Sequence, residues 1–477
     1  MRPPAPHHGT PLNASSSTTI DLQPLPYVED ASDYYRRIRT LPWPVWLDSG
    51  SATRSAHSNR YDILSAAPCS RIFCSSDGDC YSLDRAGERT QHADVWQALE
   101  QLLPSEAVQL PDTPFCGGAL GFIGYDCGKE QQRLPRQIAD DAQLPLAQLG
   151  IYRWAIIQDH HQQRSWLLLR DDTPEVLRRL LQELLLQPQQ ADSPATFSCD
   201  AFTPDMSAGH YHDCIERIQE YIQAGDCYQV NFAQRFHAHY SGDTFTAYQQ
   251  LRQALPSPFS CYFETDEIAL LSISPERFIR CHQNHVMTQP IKGTIRRGAD
   301  PQEDAGLARQ LLNSSKDQAE NLMIVDLLRN DLSKVCTAHS VSTPQLFALE
   351  SYANVHHLVS TVTGTLRADM TAVDLLAASF PGGSITGAPK IRAMEIIEEL
   401  ESRRRGAYCG AIGYLGFDGK MDTNIAIRTA VASGGQLYVW GGGGIVADSD
   451  PTQEYQESLT KVRLIMDTLE QCGARPA

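Results

Sequence analysis

The run from Tyr408 to Asp450 constrains the fold of this chain more than any other stretch. Apolar segments at 409–417, 422–432 and 436–440 are separated by short turns around FDG and SGG. Because such turns join consecutive antiparallel strands, the three segments are predicted to be neighbouring strands. Any fold that this chain adopts therefore has to include an antiparallel sheet.

Helical patterns accompany groups of strands elsewhere in the chain. Apolar residues at helical spacing predict helices at 174–187, 210–224, 244–254 and near 302–334. Strands are predicted at 228–236 and through 261–298. Strand groups mixed with helix groups favour the α+β fold class over a simple βαβ alternation.

Composition divides the chain into parts. Residues 1–22 are polar and rich in Pro and Ser, and are predicted to be a disordered tail. A linker-like stretch at 187–200 separates an N-terminal part, 23–190, from a more densely patterned part, 200–472. For 477 residues, about three units and one large domain with a smaller partner both remain open.

Charge and cysteine usage exclude several classes of protein. A formal net charge of -17 argues against general nucleic-acid binding, so an anionic ligand would need cations that converge locally. No run of 18 apolar residues is present and the N-terminus lacks the apolar core of a signal peptide, so no membrane span or secretion is expected. The 13 cysteines are scattered without CxxC spacing, which favours reduced thiols in the cytoplasm.

One candidate site lies on the predicted helix at 316–335. Asp317 and Glu320 are three residues apart, so their carboxylates share one face of the helix. Two oxygen ligands on one helical turn suit a hard cation such as Mg²⁺. A solvated acidic face is the alternative interpretation, and the pair alone does not decide between them.

A second acidic stripe lies on the predicted helix at 450–472, where Asp450 and the following proline give an N-cap signal. Glu454, Glu457 and Lys461 fall along one face. An ordinary surface ion pair between Glu457 and Lys461 explains this pattern equally well. If the two helices meet, four carboxylates become available for one ion.

Three further features stand near these helices in the sequence. The glycine-rich turn at 381–390 presents backbone N–H groups at a helix N-terminus, which suits an anion, although plain helix entry explains it too. Arg428 lies within an apolar strand and needs either an internal carboxylate or an anionic ligand. His356 and His357 are adjacent, so one can line a site while the other faces the surface.

The stretch QPIKGTIRRG places Lys292 where an extended segment is predicted to end. A solvated charge is the ordinary expectation for a lysine. A reactive amine in a site is the alternative, and the residues around Lys292 do not settle it by themselves.

The chain resembles the chorismate-utilising enzymes, which include anthranilate synthase component I and the isochorismate and salicylate synthases. Seven motifs that occur in the family's order carry the resemblance: SPERF (274–278), PIKGT (290–294), AENLMIVDLLRND (319–331), HLVS (357–360), PGGSITGAPK (381–390), AIRTAV (426–431) and GGGIVADSDPxxEYxES (442–458). The N-terminal LDSG (47–50) and GGxxGxxxYD (117–126) extend it to most of the chain. The resemblance implies an α+β fold of packed antiparallel sheets with outer helices.

The resemblance also implies roles for the acidic helices. Glu320 and Glu457 would be direct Mg²⁺ ligands, and Asp317 and Glu454 would act through water, since Mg²⁺ keeps several waters. The residues implied to bind or enclose chorismate are Tyr408, Arg428, Gly444, Lys461, Ser384 and Gly293. His357 and Thr294 would stand near the reacting ring.

Lys292 distinguishes branches of the family. Anthranilate synthases carry PIAGT, whereas the branch that forms 4-amino-4-deoxychorismate for 4-aminobenzoate and folate carries PIKGT. In that branch the lysine is expected to attack chorismate while Glu276 protonates the leaving hydroxyl. Lysine attack requires a neutral amine, which burial or a nearby cation favours. An anthranilate-forming enzyme and a non-catalytic relative that binds tryptophan or a partner remain the alternatives.

Two partners follow from the resemblance. The chain lacks the GxCxG-like nucleophile of a glutaminase, so ammonia is expected from a separate glutamine amidotransferase subunit. A tryptophan pocket is implied near LDSG and SPFSCYF, formed by Leu47, Ser49, Pro258, Phe259 and Tyr262. Because LDSG differs from the LLES-type element of feedback-inhibited relatives, tryptophan is expected to be structural rather than inhibitory.

Overall fold

The computed structural model describes residues 18–50, 60–106, 110, 112–134, 137–186, 195–352 and 355–472. Most of the predicted tail and of the linker-like stretch lies outside these residues. The last residues of the predicted tail belong to a strand, Ile20–Leu25.

All strand pairs in the described residues are antiparallel, and the strands form two sheets. With strands numbered in chain order, the first sheet runs β1 (Ile20–Leu25), β10 (Arg164–Arg170), β9 (Trp154–Asp159), β3 (Tyr61–Ser65), β2 (Val45–Asp48), β14 (Phe259–Glu264), β15 (Ile268–Ser274), β24 (Thr429–Ser433), β25 (Gln436–Ile445), β13 (Gln229–Gly242) and β11 (Phe197–Cys199), and β12 (Thr203–Pro204) and β21 (Gly387–Ala388) also pair with β13.

The second sheet carries most of the candidate site. It runs β18 (Ile291–Arg296), β20 (Val355–Thr365), β17 (His285–Thr288), β16 (Arg277–His282), β23 (Met421–Ile425), β22 (Ala411–Gly416), β7 (Gly118–Ile123), β8 (Ala147–Tyr152), β4 (Ser70–Cys74), β5 (Cys80–Asp84) and β6 (Arg89–His92), and β19 (Ser342–Ser351) also pairs with β20.

Each sheet is continuous across the predicted boundary at 190–200. In the first sheet β2 pairs with β14, and in the second β7 pairs with β22. The N-terminal and C-terminal parts therefore share both sheets, and each supplies roughly one half of every layer.

Helices lie outside the sheets, at α1 (Ser32–Ile38), α2 (Val95–Leu102), α3 (Asp126–Gln132), α4 (Glu175–Leu186), α5 (Ala208–Ala224), α6 (Thr244–Ala254), α7 (Pro301–Leu312), α8 (Ser315–Ser333), α9 (Ala372–Ser379), α10 (Lys390–Leu400) and α11 (Pro451–Gln471), with a short 3-10 turn at Gly383–Ile385. The larger apolar cluster includes residues of both sheets, such as Phe263 and Leu120. A second cluster packs the first sheet against helices through residues such as Tyr35 and Ile465. This arrangement confirms the predicted α+β fold of packed antiparallel sheets with outer helices.

The helix predicted near 302–334 is two helices, α7 and α8. They are separated at Asn313 and Ser314, and the Ser314 hydroxyl accepts a hydrogen bond from the Asp317 amide at 3.3 Å. A serine in extended conformation with this bond is an N-cap, so it begins a new helix rather than continuing the old one. The break fixes the direction in which Asp317 and Glu320 leave the first turn of α8.

The strand predicted at 422–432 is also two strands, β23 and β24. Arg428 lies between them with a φ of 51°, in the left-handed region where a non-glycine residue cannot continue a strand. The prediction that Arg428 lies within a strand is therefore wrong. The strand predicted at 436–440 extends to Ile445, so the four consecutive glycines belong to β25.

Cys74 and Cys80 face each other across the β4–β5 hairpin and are joined by a disulfide. This pair departs from the expectation of free thiols throughout, because the register of the hairpin places the two residues opposite one another. In the described part of the chain, no helix is both long and apolar enough to cross a membrane.

Candidate active site

Lys292 lies in an irregularity of the second sheet rather than at a solvated strand end. The register of β18 with β20 shifts between Ile291 and Thr294, and Gly293 adopts a φ of 86° within that shift. The ammonium of Lys292 lies 3.5 Å from the carbonyl oxygen of Ser384. Burial lowers the pKa of Lys292, against the opposing effect of nearby carboxylates, of which Glu320 is the strongest. A larger fraction of the amine is therefore neutral than in a solvated lysine.

Glu276 lies beside this lysine, at the join between β15 and β16. It is only 6% exposed, and burial raises its pKa to about 7. The charge of Lys292 and hydrogen bonds from the Ser384 hydroxyl and the Ile291 amide oppose that rise. A carboxyl group that is half protonated near neutral pH can donate a proton to a leaving group.

His357 and Thr294 face each other from β20 and β18. The Thr294 hydroxyl oxygen and Nδ1 of His357 are 2.8 Å apart. Burial, followed by the charge of Arg428, lowers the pKa of His357 to about 4, so the ring is neutral at physiological pH. Its neighbour His356 is 3% exposed and contacts Asp304 at 3.0 Å, so it is buried on the other face of the strand rather than at the surface.

The acidic helices α8 and α11 approach this region from different sides. A Cβ atom built on Gly293 would lie 3.0 Å from Cγ of Asp317, and one on Gly443 would lie 3.2 Å from Oε2 of Glu454 and 3.6 Å from Oε1 of Glu457. The glycines thus leave room for carboxylates directly against the two strands. Glu320 of α8 and Glu457 of α11 both act on the pKa of Lys292, so each lies near that amine.

The pKa shifts of these carboxylates differ in direction. Burial raises the pKa of Glu320 and of Glu454, and neighbouring carboxylates add to the effect. Glu454 accepts a hydrogen bond from Ser449 at 2.7 Å. In Glu457 burial is outweighed by Lys461, whose ammonium lies 2.7 Å away, and the pKa is lowered. The predicted i,i+4 ion pair is therefore present, and both of its side chains are exposed on the helix, as the surface interpretation expects.

These residues have the donor atoms that a divalent cation prefers, although they are not grouped as a metal site. Among the residues that the structure describes, no three Asp, Glu, His or Cys side chains are grouped closely enough to hold a metal. The donors available are carboxylate oxygens, which suit Mg²⁺. The four predicted ligands remain a prediction that fits the donor set.

Arg428 supplies an unpaired positive charge. Its guanidinium makes no hydrogen bond or ion pair with any described side chain, and burial lowers its pKa. Its charge reaches His357, where it lowers the pKa. Of the two partners predicted for Arg428, an internal carboxylate is not found among the described residues, and an anionic ligand stays a prediction.

The remaining predicted substrate residues divide into two groups. Ser384 lies in the 3-10 turn and binds Glu276, and Lys461 donates to the Gly442 carbonyl at 2.9 Å. Tyr408 is fully buried, and its ring stacks on Trp440 with the ring centroids 5.9 Å apart. The structure therefore brings Ser384 and Lys461 to the catalytic groups, whereas Tyr408 is packed against β25.

Gln229 was not identified from the sequence. It is 1% exposed, and neither atom of its side-chain amide has a partner among the described residues. The amide nitrogen would lie 2.1 Å from a Cβ on Gly444, so it packs directly on that glycine. The only signal in the sequence is a polar residue at the start of an apolar strand whose partner strand is rich in glycine.

A separate cavity of about 600 Å³ lies at the predicted tryptophan pocket, and we name it the Leu47 cavity. Leu47, Ser49, Pro258 and Phe259 line it, as predicted. Tyr262 does not, because its ring packs against Tyr35, Phe245 and Tyr248 in the second apolar cluster and its hydroxyl lies 2.7 Å from that of Thr244. Its place in the pocket is the one element of that prediction that the structure contradicts.

Comparison with known proteins identifies the family. Residues 56–467 match the family described as chorismate binding enzyme. The chain belongs to this family. The aminodeoxychorismate synthase component 1 of Klebsiella aerogenes is 49% identical over 453 residues, which cover 94% of this chain and 98% of that protein.

Two further relatives agree with this assignment. The aminodeoxychorismate synthase component 1 of Escherichia coli (strain K12) is 46% identical over 447 residues, or 93% of this chain and 97% of that protein. Anthranilate synthase component I from Streptococcus pneumoniae TIGR4 superposes with a TM-score of 0.77 at 31% identity, covering 87% of this chain and 93% of that one. The two packed sheets of this chorismate-binding enzyme are thus the fold of a solved relative.

Proposed function

We propose that this chorismate-binding enzyme acts as component I of an aminodeoxychorismate synthase, which converts chorismate and ammonia into 4-amino-4-deoxychorismate. Lys292 in the β18 irregularity beside Glu276 is the observation that carries the proposal. Two relatives that cover nearly the whole chain bear the same name. The product is a precursor of 4-aminobenzoate and hence of folate.

The proposed reaction uses Lys292 as a nucleophile. Its neutral amine attacks C2 of chorismate, both conjugated double bonds of the ring shift by one position, and the C4 hydroxyl leaves as water with the proton of Glu276. Ammonia then attacks C4, both double bonds shift back, and the amine of Lys292 leaves C2. Glu276, now ionised, takes up the proton that is released, so protons and electrons balance over the cycle.

Substrate binding is assigned to the cations of the site. The unpaired guanidinium of Arg428 and the ammonium of Lys461 are suited to the two carboxylates of chorismate. Ser384 holds Glu276 by a hydrogen bond and so fixes the acid next to the lysine. His357, kept neutral and held by Thr294, packs near the ring without adding charge.

Magnesium is part of the proposal. Glu320 and Glu457 would bind it directly and Asp317 and Glu454 through water, and the bound ion would supply positive charge next to a substrate carboxylate. Binding can be measured without turnover by calorimetry with Mg²⁺ alone. We expect Glu320→Gln to weaken that binding at least tenfold and Glu183→Gln, an exposed change on α4, to leave it unchanged.

Two partners and a location complete the proposal. Ammonia would come from a separate glutamine amidotransferase subunit in the cytoplasm. Tryptophan would occupy the Leu47 cavity, whose size suits one amino acid and several waters. Denaturing the purified protein and measuring released tryptophan by mass spectrometry tests this occupancy directly.

Product identification tests the function. Purified protein, chorismate, ammonium and Mg²⁺ should give 4-amino-4-deoxychorismate, and Lys292→Ala should lower its rate by at least a hundredfold. Lys334→Ala, which removes a lysine paired with Asp331 on α8, is the control and should retain the rate. Release of anthranilate with pyruvate would instead support the anthranilate-forming alternative. An unchanged rate in Lys292→Ala would exclude the nucleophile.

A further inference from the structure

Arg277 connects the Leu47 cavity with both strands that carry the catalytic pair. It follows Glu276 directly in the chain and begins β16. Its Nη1 donates to the side-chain oxygen of Gln289 at 2.7 Å, and its Nε and Nη2 donate to the two carboxylate oxygens of Asp422 at 2.9 and 3.2 Å. The side chain is 7% exposed and lines the Leu47 cavity together with Gln289 and Asp422.

Gln289 provides a side-chain anchor three residues before Lys292. It lies between β17 and β18, and the next residue but one is Ile291, where the regular ladder with β20 stops. Besides Arg277, its side chain has a longer contact of 3.5 Å to the Thr361 hydroxyl. The bond to Arg277 is the shortest polar contact of the Gln289 side chain. It adds to the backbone contacts with β20, in which the Pro290 carbonyl accepts a hydrogen bond from the Ser360 amide at 3.3 Å and Ile291 pairs with Val359.

The downstream end of the same irregularity is anchored independently. Thr294 is held by His357 at 2.8 Å, so Lys292 and Gly293 lie between two fixed points. Glu276 is fixed through its own backbone, whose carbonyl accepts a hydrogen bond from the Ile425 amide at 3.0 Å. Arg277 thus adds a side-chain link between the residue after Glu276 and the chain upstream of Lys292, beside the direct hydrogen bond from the Ile291 amide to Glu276.

We infer that Arg277 is a positioning residue that, through Gln289, holds Lys292 at the distance from Glu276 that the reaction needs. The bidentate bond to Asp422 and the Phe259 ring, whose centroid lies 4.7 Å from the guanidinium carbon, keep the arginine itself immobile. A displacement of about 1 Å between reacting groups can cost on the order of a hundredfold in rate. A single arginine therefore serves both the wall of the cavity and the geometry of the site.

The experiment compares Arg277→Gln and Gln289→Leu with two controls. Arg280→Gln removes the same charge from the same strand and the same cavity, but Arg280 makes no hydrogen bond or ion pair with any described residue. Gln289→Glu keeps an acceptor oxygen for Arg277. Hydrogen exchange of the peptide spanning residues 289–296 is followed together with kcat and KM for whichever product wild type makes.

The inference predicts faster exchange in that peptide alone and a kcat lower by about tenfold or more in Arg277→Gln and Gln289→Leu, with KM changed less than about threefold. Exchange of this peptide should match wild type in both controls, and kcat of Gln289→Glu should stay within about twofold of wild type. The double variant should lose no more kcat than the more impaired single variant, because both changes break the same link. If Arg277→Gln does not fold, the inference is tested by comparing Gln289→Leu with Gln289→Glu.

Three results would overturn the inference: exchange and kcat in Gln289→Leu equal to those of Arg280→Gln, exchange that accelerates evenly over the whole chain, or Gln289→Glu as impaired as Gln289→Leu. The kcat readout rests on the proposed function, whereas the exchange readout does not. A wild type that makes a different product would therefore refute the proposed function and leave this inference to be decided by exchange.

Discussion

The hydroxyl of Thr294 and Nδ1 of His357 lie 2.8 Å apart, and this contact joins the strand that carries the candidate nucleophile to its neighbour. It lies immediately after the irregularity that contains Lys292. One short hydrogen bond therefore fixes the orientation of the histidine ring and the downstream end of the lysine segment at the same time.

Replacing Thr294 by valine should lower kcat by roughly three- to tenfold, because a net hydrogen bond is worth about 0.5–1.5 kcal/mol and valine keeps the shape without the hydroxyl. Thr294→Ser retains the bond and should remain within about twofold of wild type. Steady-state kinetics on the two variants measure this difference in kcat. Equal rates for valine and serine would show that the contact has no role in positioning the ring.

Glu276 is expected to couple activity to pH. Its pKa of about 7 means that the protonated acid is lost as pH rises through neutrality, so activity that depends on it should fall there. Glu276→Gln cannot donate the proton and should lose at least a hundredfold in kcat. A pH profile of kcat/KM that rises steadily from pH 6 to 8.5 would contradict an acid role for this group.

The raised pKa of Glu276 also means that its ionisation lowers the stability of the folded state. The folded pKa lies above the unfolded value of 4.5, so the folded state binds more protons between the two and stability falls as pH rises. Glu276→Gln should therefore raise the free energy of unfolding by about 3 kcal/mol at pH 8 and by about 1 kcal/mol or less at pH 5. Urea unfolding at the two pH values measures the difference, and the exposed Glu183→Gln should show none.

Gly293 cannot be replaced without moving the acidic helix. Its φ of 86° disfavours any side chain, and an added Cβ would lie 2.9 Å from Cδ1 of Leu311 and 3.0 Å from Asp317. We expect Gly293→Ala to cost about 1–3 kcal/mol of stability and at least tenfold in activity. Gly306→Ala, in the middle of α7 with open space around it, should be neutral or stabilising. Thermal unfolding and product formation on both variants test the contrast.

Local pattern was sufficient to predict α4, α5 and α6, as well as the hairpin turns of the 408–450 run, because turn residues and helical spacing act over a few residues. The ordered motifs located Lys292, Glu276 and the acidic helices. The positions of the Tyr262 and Gln229 side chains could not be predicted in this way. The face that a strand side chain presents depends on which distant strand it pairs with, and β14 pairs with β2, more than 200 residues earlier in the chain.

Arg428 illustrates a second limit. An apolar run with β-branched residues predicts one strand. No residue within the run indicates that the backbone at its centre is left-handed. The break exists because β23 and β24 belong to different sheets, so the chain has to leave one layer and enter the other at this point. Tertiary context overrode local propensity at this position.

The shared sheets predict that the C-terminal part cannot fold alone. Residues 195–472 without the rest would leave β14 and β22 as open edges where β2 and β7 now pair with them. They would also leave Glu398, which is buried with Lys129 at an ion-pair distance of 2.5 Å, without its partner. Unpaired edges favour aggregation, and removing one partner of a buried pair typically costs about 3–5 kcal/mol.

We therefore expect the 195–472 fragment to lack a cooperative thermal transition and near-ultraviolet circular dichroism. A chain that begins at Thr18 keeps every described strand and serves as the control, which should unfold as the full chain does. Adding the separately produced 18–186 fragment should restore the transition if the two parts complete each other's sheets. A cooperative, monomeric 195–472 fragment would show that the catalytic part is an independent domain despite the strands that it shares.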